Sequence, residues 1–194
     1  MKKVPTWIYR GFKPIISVLF RIIYRPTIIN KEVIPKEGPV ILAGNHKDYF
    51  DPVFIAISTK RFVHFLAKAV LFKGWKGFFM RNCGTLPVQV GKAHKDSFKT
   101  AIQILNQGKV IGIFPEGTRN LTSNLMLPFR KGAVLLAKET GSKIIPFAIR
   151  GEYKIFGKLT LEYGELLDVS NLTLEEANEL LTEKVKELLL KKEQ

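Results

Sequence analysis

The sequence predicts a single α/β domain on a mostly parallel central sheet flanked by helices, with an N-terminal amphipathic helical segment. Three observations predict it. At 194 residues the chain has the size of one ordinary domain. With 46% hydrophobic and 25% charged residues, it has the apolar content of a packed core, which excludes a disordered tail, a collagen and a disulfide scaffold. From residue 40 onward, short β-rich runs alternate with helical patterns, as in sheets whose parallel strands are joined by crossover helices.

Strands are predicted at VILA (40–43), FVHFLA (62–67), TLPVQV (85–90), VIGIF (110–114), IIPFAI (144–149) and LTLEY (159–163). Helices are predicted over 95–107, on Phe98, Ile102, Ile104 and Leu105, and over 130–140, ended by Gly141. A last helix is expected over 174–191, with Thr173 as its cap. Polar clusters follow two strands: GNHKDYFDP after VILA and PEGTRN after VIGIF. In open α/β sheets ligands bind beyond the carboxyl ends of strands, so these loops are the candidate site.

Thirty-one Lys and Arg against 17 Asp and Glu leave +14. That charge points to nucleic acid, an anionic membrane surface or phosphorylated substrates. Its distribution is uneven. Residues 1–36 carry eight basic side chains against Glu32, a net of +7; residues 60–109 carry ten against Asp96, a net of +9; residues 162–194 carry a net of −5. The lone Cys83 cannot form an internal disulfide and no Cys/His cluster has metal-ligand spacing, so a reducing compartment is expected.

Wound as a helix, residues 7–24 gather Ile8, Phe12, Ile15, Ile16, Leu19, Phe20 and Ile23 on one broad arc, opposite Arg10, Lys13, Ser17 and Arg21. Pro14 is expected to divide this helix. The uncharged run PIISVLF is too short to span a bilayer. Lacking a small-residue cleavage site, the segment is read as retained. Two uses fit: lying in a membrane interface, or packing on the core with the basic face in water. The expected organisation is 1–36 as an amphipathic helical segment, membrane-docking on the first of these uses, and 37–194 as the α/β domain.

In the first loop, Pro52 suggests the start of a helix, which lets Asp51 cap it and fold back onto His46. A carboxylate on one ring nitrogen fixes the tautomer and leaves the other to accept a proton, the arrangement of a general base; on the residues alone a structural pair is the other reading. In the second loop, Gly117 permits a tight turn and Arg119 offers a planar fork suited to phosphate. Glu116 repels phosphate and could orient Arg119 or other donors instead; the other reading of this loop is a surface turn with a local ion pair.

The ordered combination NHKDYFD, GTLPV, FPEGTRN and IIPFAIRG resembles the four-block signature of glycerolipid acyltransferases, most closely the lysophosphatidic acid acyltransferases. The similar region runs from about Gly38 to Gly164 and takes in AKAVLF and PFRKGAVLLA. The resemblance implies acyl transfer from acyl-CoA or acyl-carrier protein to the free hydroxyl of a lysophospholipid or glycerol phosphate, with no metal or cofactor. It implies His46 as general base and Asp51 as its partner. Glu116, Gly117, Thr118 and Arg119 would form the acceptor phosphate site with Lys131 as a further candidate, and Asn45, Pro115 and Pro146 would shape it. Two positions depart from the family pattern: Val90 stands where an arginine is usual, leaving Arg81 or Lys92 to supply that charge, and Asp48 stands where serine is common. The implied setting is peripheral, on the cytoplasmic face of the cell membrane. Nucleic acid is not the expected partner, because the aromatics sit in apolar runs without the spacing of a stacking platform. Trp75, Phe78 and Phe79 are candidates for an acyl tunnel, for dipping into lipid or for packing in the core.

Overall fold

Val40–Gly44 (β2) and Val110–Ile113 (β5) are buried at every residue, a pattern that fits a sheet covered on both faces. The computed structural model describes residues 7–88, 94–155 and 157–191. The other strands are Thr27–Ile29 (β1), Val63–Lys68 (β3), Leu86–Val88 (β4), Lys143–Gly151 (β6) and Leu159–Tyr163 (β7). They form one sheet in the order β1-β7-β6-β2-β5-β3-β4. All neighbours are parallel except β6 and β7.

The helices are Trp7–Tyr24 (α1), Asp51–Ser58 (α2), Gly74–Asn82 (α3), His94–Asn106 (α4), Gly132–Thr140 (α5) and Leu174–Leu190 (α6). Strand alternation divides the core in two. Ile41 and Ala43 of β2 face a cluster with α4, α5 and α6, while Val40 and Leu42 face a cluster with α1 and α2. Thr173 caps α6 as expected, in a reciprocal box with Glu176.

Two elements lie outside the sequence pattern. β1 is three residues long, too short to show alternation. α3 is disguised by its glycines; a Cβ on Gly77 would lie 1.9 Å from the Phe72 carbonyl, so the helix needs glycine there to meet the preceding turn. The predicted strand over 85–90 is found at Leu86–Val88, and its last two residues lie outside the described residues.

The expectation that Pro14 divides the first helix is corrected: α1 runs through it. Pro14 stands on the exposed side, and contacts on both sides of it hold the two halves in line. Tyr9 and Lys13 on one side, and Ile16, Phe20 and Tyr24 on the other, meet the body of the domain. The two-sided reading of α1 is also refined. Lys13 turns inward and its ammonium donates to the Thr59 carbonyl at 2.7 Å, just past α2. About 120° round the helix from this inner face, Phe12, Ile15, Leu19 and Ile22 form a second apolar stripe, 51 to 63% exposed. Arg21 and Ser17 occupy a third side. Among the described residues, no helix is long and apolar enough to cross a membrane.

Glu162 of β7 ties the C-terminal helix to the sheet. Its carboxylate accepts from the Arg150 guanidinium of β6 at 2.7 Å and from Lys191 at 2.6 Å, while Arg150 also donates to the Leu188 carbonyl. Burial works to raise the Glu162 carboxyl, but the two cations outweigh it and hold it below its ordinary 4.5. Its stabilising contribution is therefore present above pH 4.5 and lost as pH falls through the lower, folded value. Glu162→Gln leaves the half-buried Arg150 uncompensated and is expected to cost about 3 kcal/mol at neutral pH. It also flattens the acid side of the stability profile measured by denaturant titration. An unchanged profile would contradict this assignment.

Candidate active site

The first loop leaves β2 beside β6 and β5. Asn45 prolongs the pairing with β6: its amide donates to the Ile149 carbonyl at 3.0 Å and its oxygen accepts the Ile149 N–H at 2.7 Å. His46 follows with its backbone held on both sides. Its N–H donates to Glu116 Oε1 and its carbonyl accepts from the Asn120 N–H, each at 2.7 Å. The imidazole lies flat on Phe114, ring centroids 4.1 Å apart.

Asp51 is the first residue of α2 and is 0% exposed. Its Oδ2 meets His46 Nδ1 at 2.7 Å and accepts the N–H groups of Lys47 (2.7 Å) and Asp48 (2.8 Å). Its Oδ1 accepts the Tyr153 hydroxyl at 2.6 Å. The expected fold-back onto His46 is present, but Asp51 does not cap the helix: its backbone donors lie upstream, and Phe50 is the cap residue without a side-chain bond. Pro52, which has no N–H, makes that start possible. Because Oδ2 also accepts two backbone N–H groups, it acts as acceptor toward the ring, so Nδ1 carries the imidazole proton and Nε2 is the unprotonated nitrogen. Asp48 does not compete for His46; its carboxylate accepts the Phe50 N–H at 2.9 Å.

The second loop closes over the first. Glu116 is buried and spends both oxygens on backbone donors, Oε1 on His46 and Oε2 on the Leu127 N–H at 2.8 Å. Burial pushes its carboxyl above the ordinary value, opposed by those two donors. Glu116 is therefore a clamp between loops. Pro115 is buried and its carbonyl accepts the Arg130 N–H at 2.9 Å. Gly117 has φ +70, and a Cβ there would lie 2.9 Å from Arg130 Nε, so the guanidinium packs directly on the loop. Thr118 is exposed. Arg119 lies over the Tyr49 ring of the first loop, 3.5 Å from its centroid.

The remaining candidates are placed differently. Lys131 pairs with Glu175 of α6. Pro146 is buried in β6 opposite Ala43, where its carbonyl accepts the Gly164 N–H as the chain leaves β7. Arg81 donates to the Phe72 carbonyl and braces the start of α3; Lys92 and Val90 lie outside the described residues. A cleft of about 320 Å³ opens beside His46, lined by Asn45, Lys47, Glu116, Asn120 and Arg150 among others. Sequence reasoning missed Phe114, Asn120, Arg130 and Tyr153. Phe114 and Asn120 flank the PEGTR motif and Arg130 adjoins Lys131, so proximity could have drawn notice; Tyr153 carries no local signal. Among the described residues, no cluster of three His, Cys, Asp or Glu is placed to hold a metal ion.

A family model described as Acyltransferase matches residues 25–150. The 1-acyl-sn-glycerol-3-phosphate acyltransferase of Bacillus subtilis (strain 168) is 30% identical over 175 residues, covering 83% of this chain and 86% of that protein. The enzyme of the same name from Borreliella burgdorferi is 30% identical, covering 85% and 70%. Among solved structures, the 1-acyl-sn-glycerophosphate (LPA) acyltransferase, PlsC, from Thermotoga maritima superposes with a TM-score of 0.73 at 22% identity, covering 95% of this chain and 81% of that one. That likeness concerns the fold.

Glu116→Gln turns an amide NH2 toward one of two backbone donors. It is expected to destabilise the chain by about 1–3 kcal/mol in chemical denaturation. Faster amide exchange at His46 and Leu127 should accompany the loss. Unchanged stability and exchange would contradict the clamp.

Proposed function

The chain belongs to the acyltransferase family, and from that premise we propose that it moves a fatty acyl group from acyl-CoA or acyl-carrier protein to the free hydroxyl of lysophosphatidic acid, giving phosphatidic acid. The observation that carries this reading is the junction of the two loops: a buried carboxylate orients His46, and a cationic loop is clamped to its backbone. In the reaction, His46 Nε2 takes the proton of the acceptor hydroxyl as its oxygen attacks the thioester carbonyl. The new C–O bond forms, the C–S bond breaks, and the proton passes from His46 to the departing thiolate. Nucleophile and leaving group both come from the substrates, so Cys83 is left out of the chemistry, and burial pushes its thiol up to about 11.

The acceptor phosphate meets the second loop. Arg119 supplies the charge-assisted contact, with Gly117 and Thr118 beside it and Arg130 as an added cation. Lys131 reaches the phosphate by leaving Glu175, an exposed pair of little cost. Glu116 serves this group by holding the loop.

The acceptor and product are lipids, and residues 1–36 dock the enzyme on the cytoplasmic face of the membrane. The outward stripe of α1 and the exposed Trp75, Phe78 and Phe79 of α3 enter the interface. No acidic residue stands between Asp51 and Asp96, so the surface around α3 attracts anionic headgroups.

His46→Ala is expected to lower transfer by about 10²–10⁴-fold while leaving folding and vesicle binding intact; retained turnover would refute the base assignment. Arg119→Ala should cost about 10–100-fold with lysophosphatidic acid and much less with a zwitterionic lysophospholipid. Equal losses on both acceptors would assign Arg119 to the fold or the donor instead.

A further inference from the structure

Tyr153 lies in the turn between β6 and β7, and the mechanism above gives it no part. Its hydroxyl donates to Asp51 Oδ1 at 2.6 Å. Its ring is seated on α1, edge-on to Tyr24 at 5.6 Å and to Phe20 at 6.2 Å, and lies 6.1 Å from Phe50 of the first loop. Phe20 in turn stacks on Phe54 of α2 at 5.3 Å, three residues after Asp51. One side chain thus touches the buried carboxylate with its oxygen and the helix bearing the exposed apolar stripe with its ring.

We propose that Tyr153 is a positioning residue that couples the seating of α1 on a lipid surface to the geometry of the His46 and Asp51 pair. The proposal rests on the reading of this chain as an interfacial acyltransferase. A ligand shifts a conformational equilibrium only through differential affinity for its states. The outward stripe of α1 gives lipid that preference, because its apolar side chains are buried when the helix lies in the interface. The inner face of the same helix supports the Tyr153 ring. Hydrogen bonds weaken steeply once misaligned, so a small displacement of α1 loosens the bond to Oδ1. Asp51 then concentrates its charge on the oxygen facing His46, which raises the proton affinity of the ring. Other titratable groups around the pair are Glu116 on the second loop, Lys47 and Asp48 on the first, and Tyr24 on α1.

The test uses the full chain, a short-chain lysophosphatidic acid kept monomeric, and acyl-CoA as donor or, where that donor fails, acyl-carrier protein. Rates are compared with and without acceptor-free vesicles of phosphatidylglycerol and phosphatidylcholine. Vesicles are expected to stimulate the wild type several-fold. Tyr153→Phe keeps the ring and vesicle binding in flotation, yet loses most of the stimulation, in kcat more than in KM. The acid limb of its kcat/KM profile moves to higher pH. Tyr24→Leu, which leaves the Tyr153 hydroxyl in place but removes the ring packed against it, should also weaken the stimulation and serves if Tyr153→Phe fails to fold. A wild type indifferent to vesicles, or full stimulation with an unmoved acid limb in Tyr153→Phe, overturns the coupling. Absence of transfer by the wild type with either donor overturns the acyltransferase reading itself.

Discussion

A carboxylate with no solvent exposure is tolerated in a protein only when donors replace its water, and Asp51 is the group on which the rest of this site depends. Four donors surround it: the imidazole of His46, two backbone N–H groups of its own loop and the Tyr153 hydroxyl. Each demand shapes the chain. The loop must curl so that Lys47 and Asp48 point their N–H groups back, the helix must begin at Asp51 with Pro52 behind it, and the turn after β6 must bring Tyr153 over. Once these are met, the imidazole has one orientation and one tautomer.

The sheet supplies the frame for that arrangement. β2 and β5 are parallel neighbours, so their carboxyl ends deliver His46 and Glu116 to the same place. Asn45 then pins the exit of β2 to β6, and Asn120 closes the other side of His46. The base is fixed through its backbone before any side chain partner is counted. Charge follows the same division. The basic N-terminal two thirds carry the first loop and the exposed apolar faces, while the acidic C-terminal helix packs with α4 and α5, lends Leu189 to the cleft wall and binds Lys131 through Glu175.

Much of the fold was legible because long apolar runs force it: β2, β5, β6 and β7, and the helices α4, α5 and α6, fall within a residue or two of their patterns, except that β6 extends two residues further at its end. The His46 and Asp51 pairing was legible because Pro52 announces a helix start that brings residues five apart together. What escaped was set by contacts distant in sequence. α1 continues through Pro14 because its inner face is held on both sides of the proline, and its two apolar stripes look like one broad arc until the domain occupies one of them. Glu116 resembles a ligand-facing carboxylate in its motif, and only the return of Leu127 reveals it as a clamp. Tyr153 reaches Asp51 across 102 residues, and no local pattern encodes such a bond.

If Asp51 acts through His46, the two side chains form one functional unit. A double-mutant cycle with His46→Ala and Asp51→Ala tests this most directly, reading kcat/KM for acyl transfer to lysophosphatidic acid on anionic vesicles, with folding checked for each variant. The double variant is expected to lose no more activity than the worse single variant, within the ~10²–10⁴-fold range of a missing general base. Losses that multiply in the double variant would contradict the account.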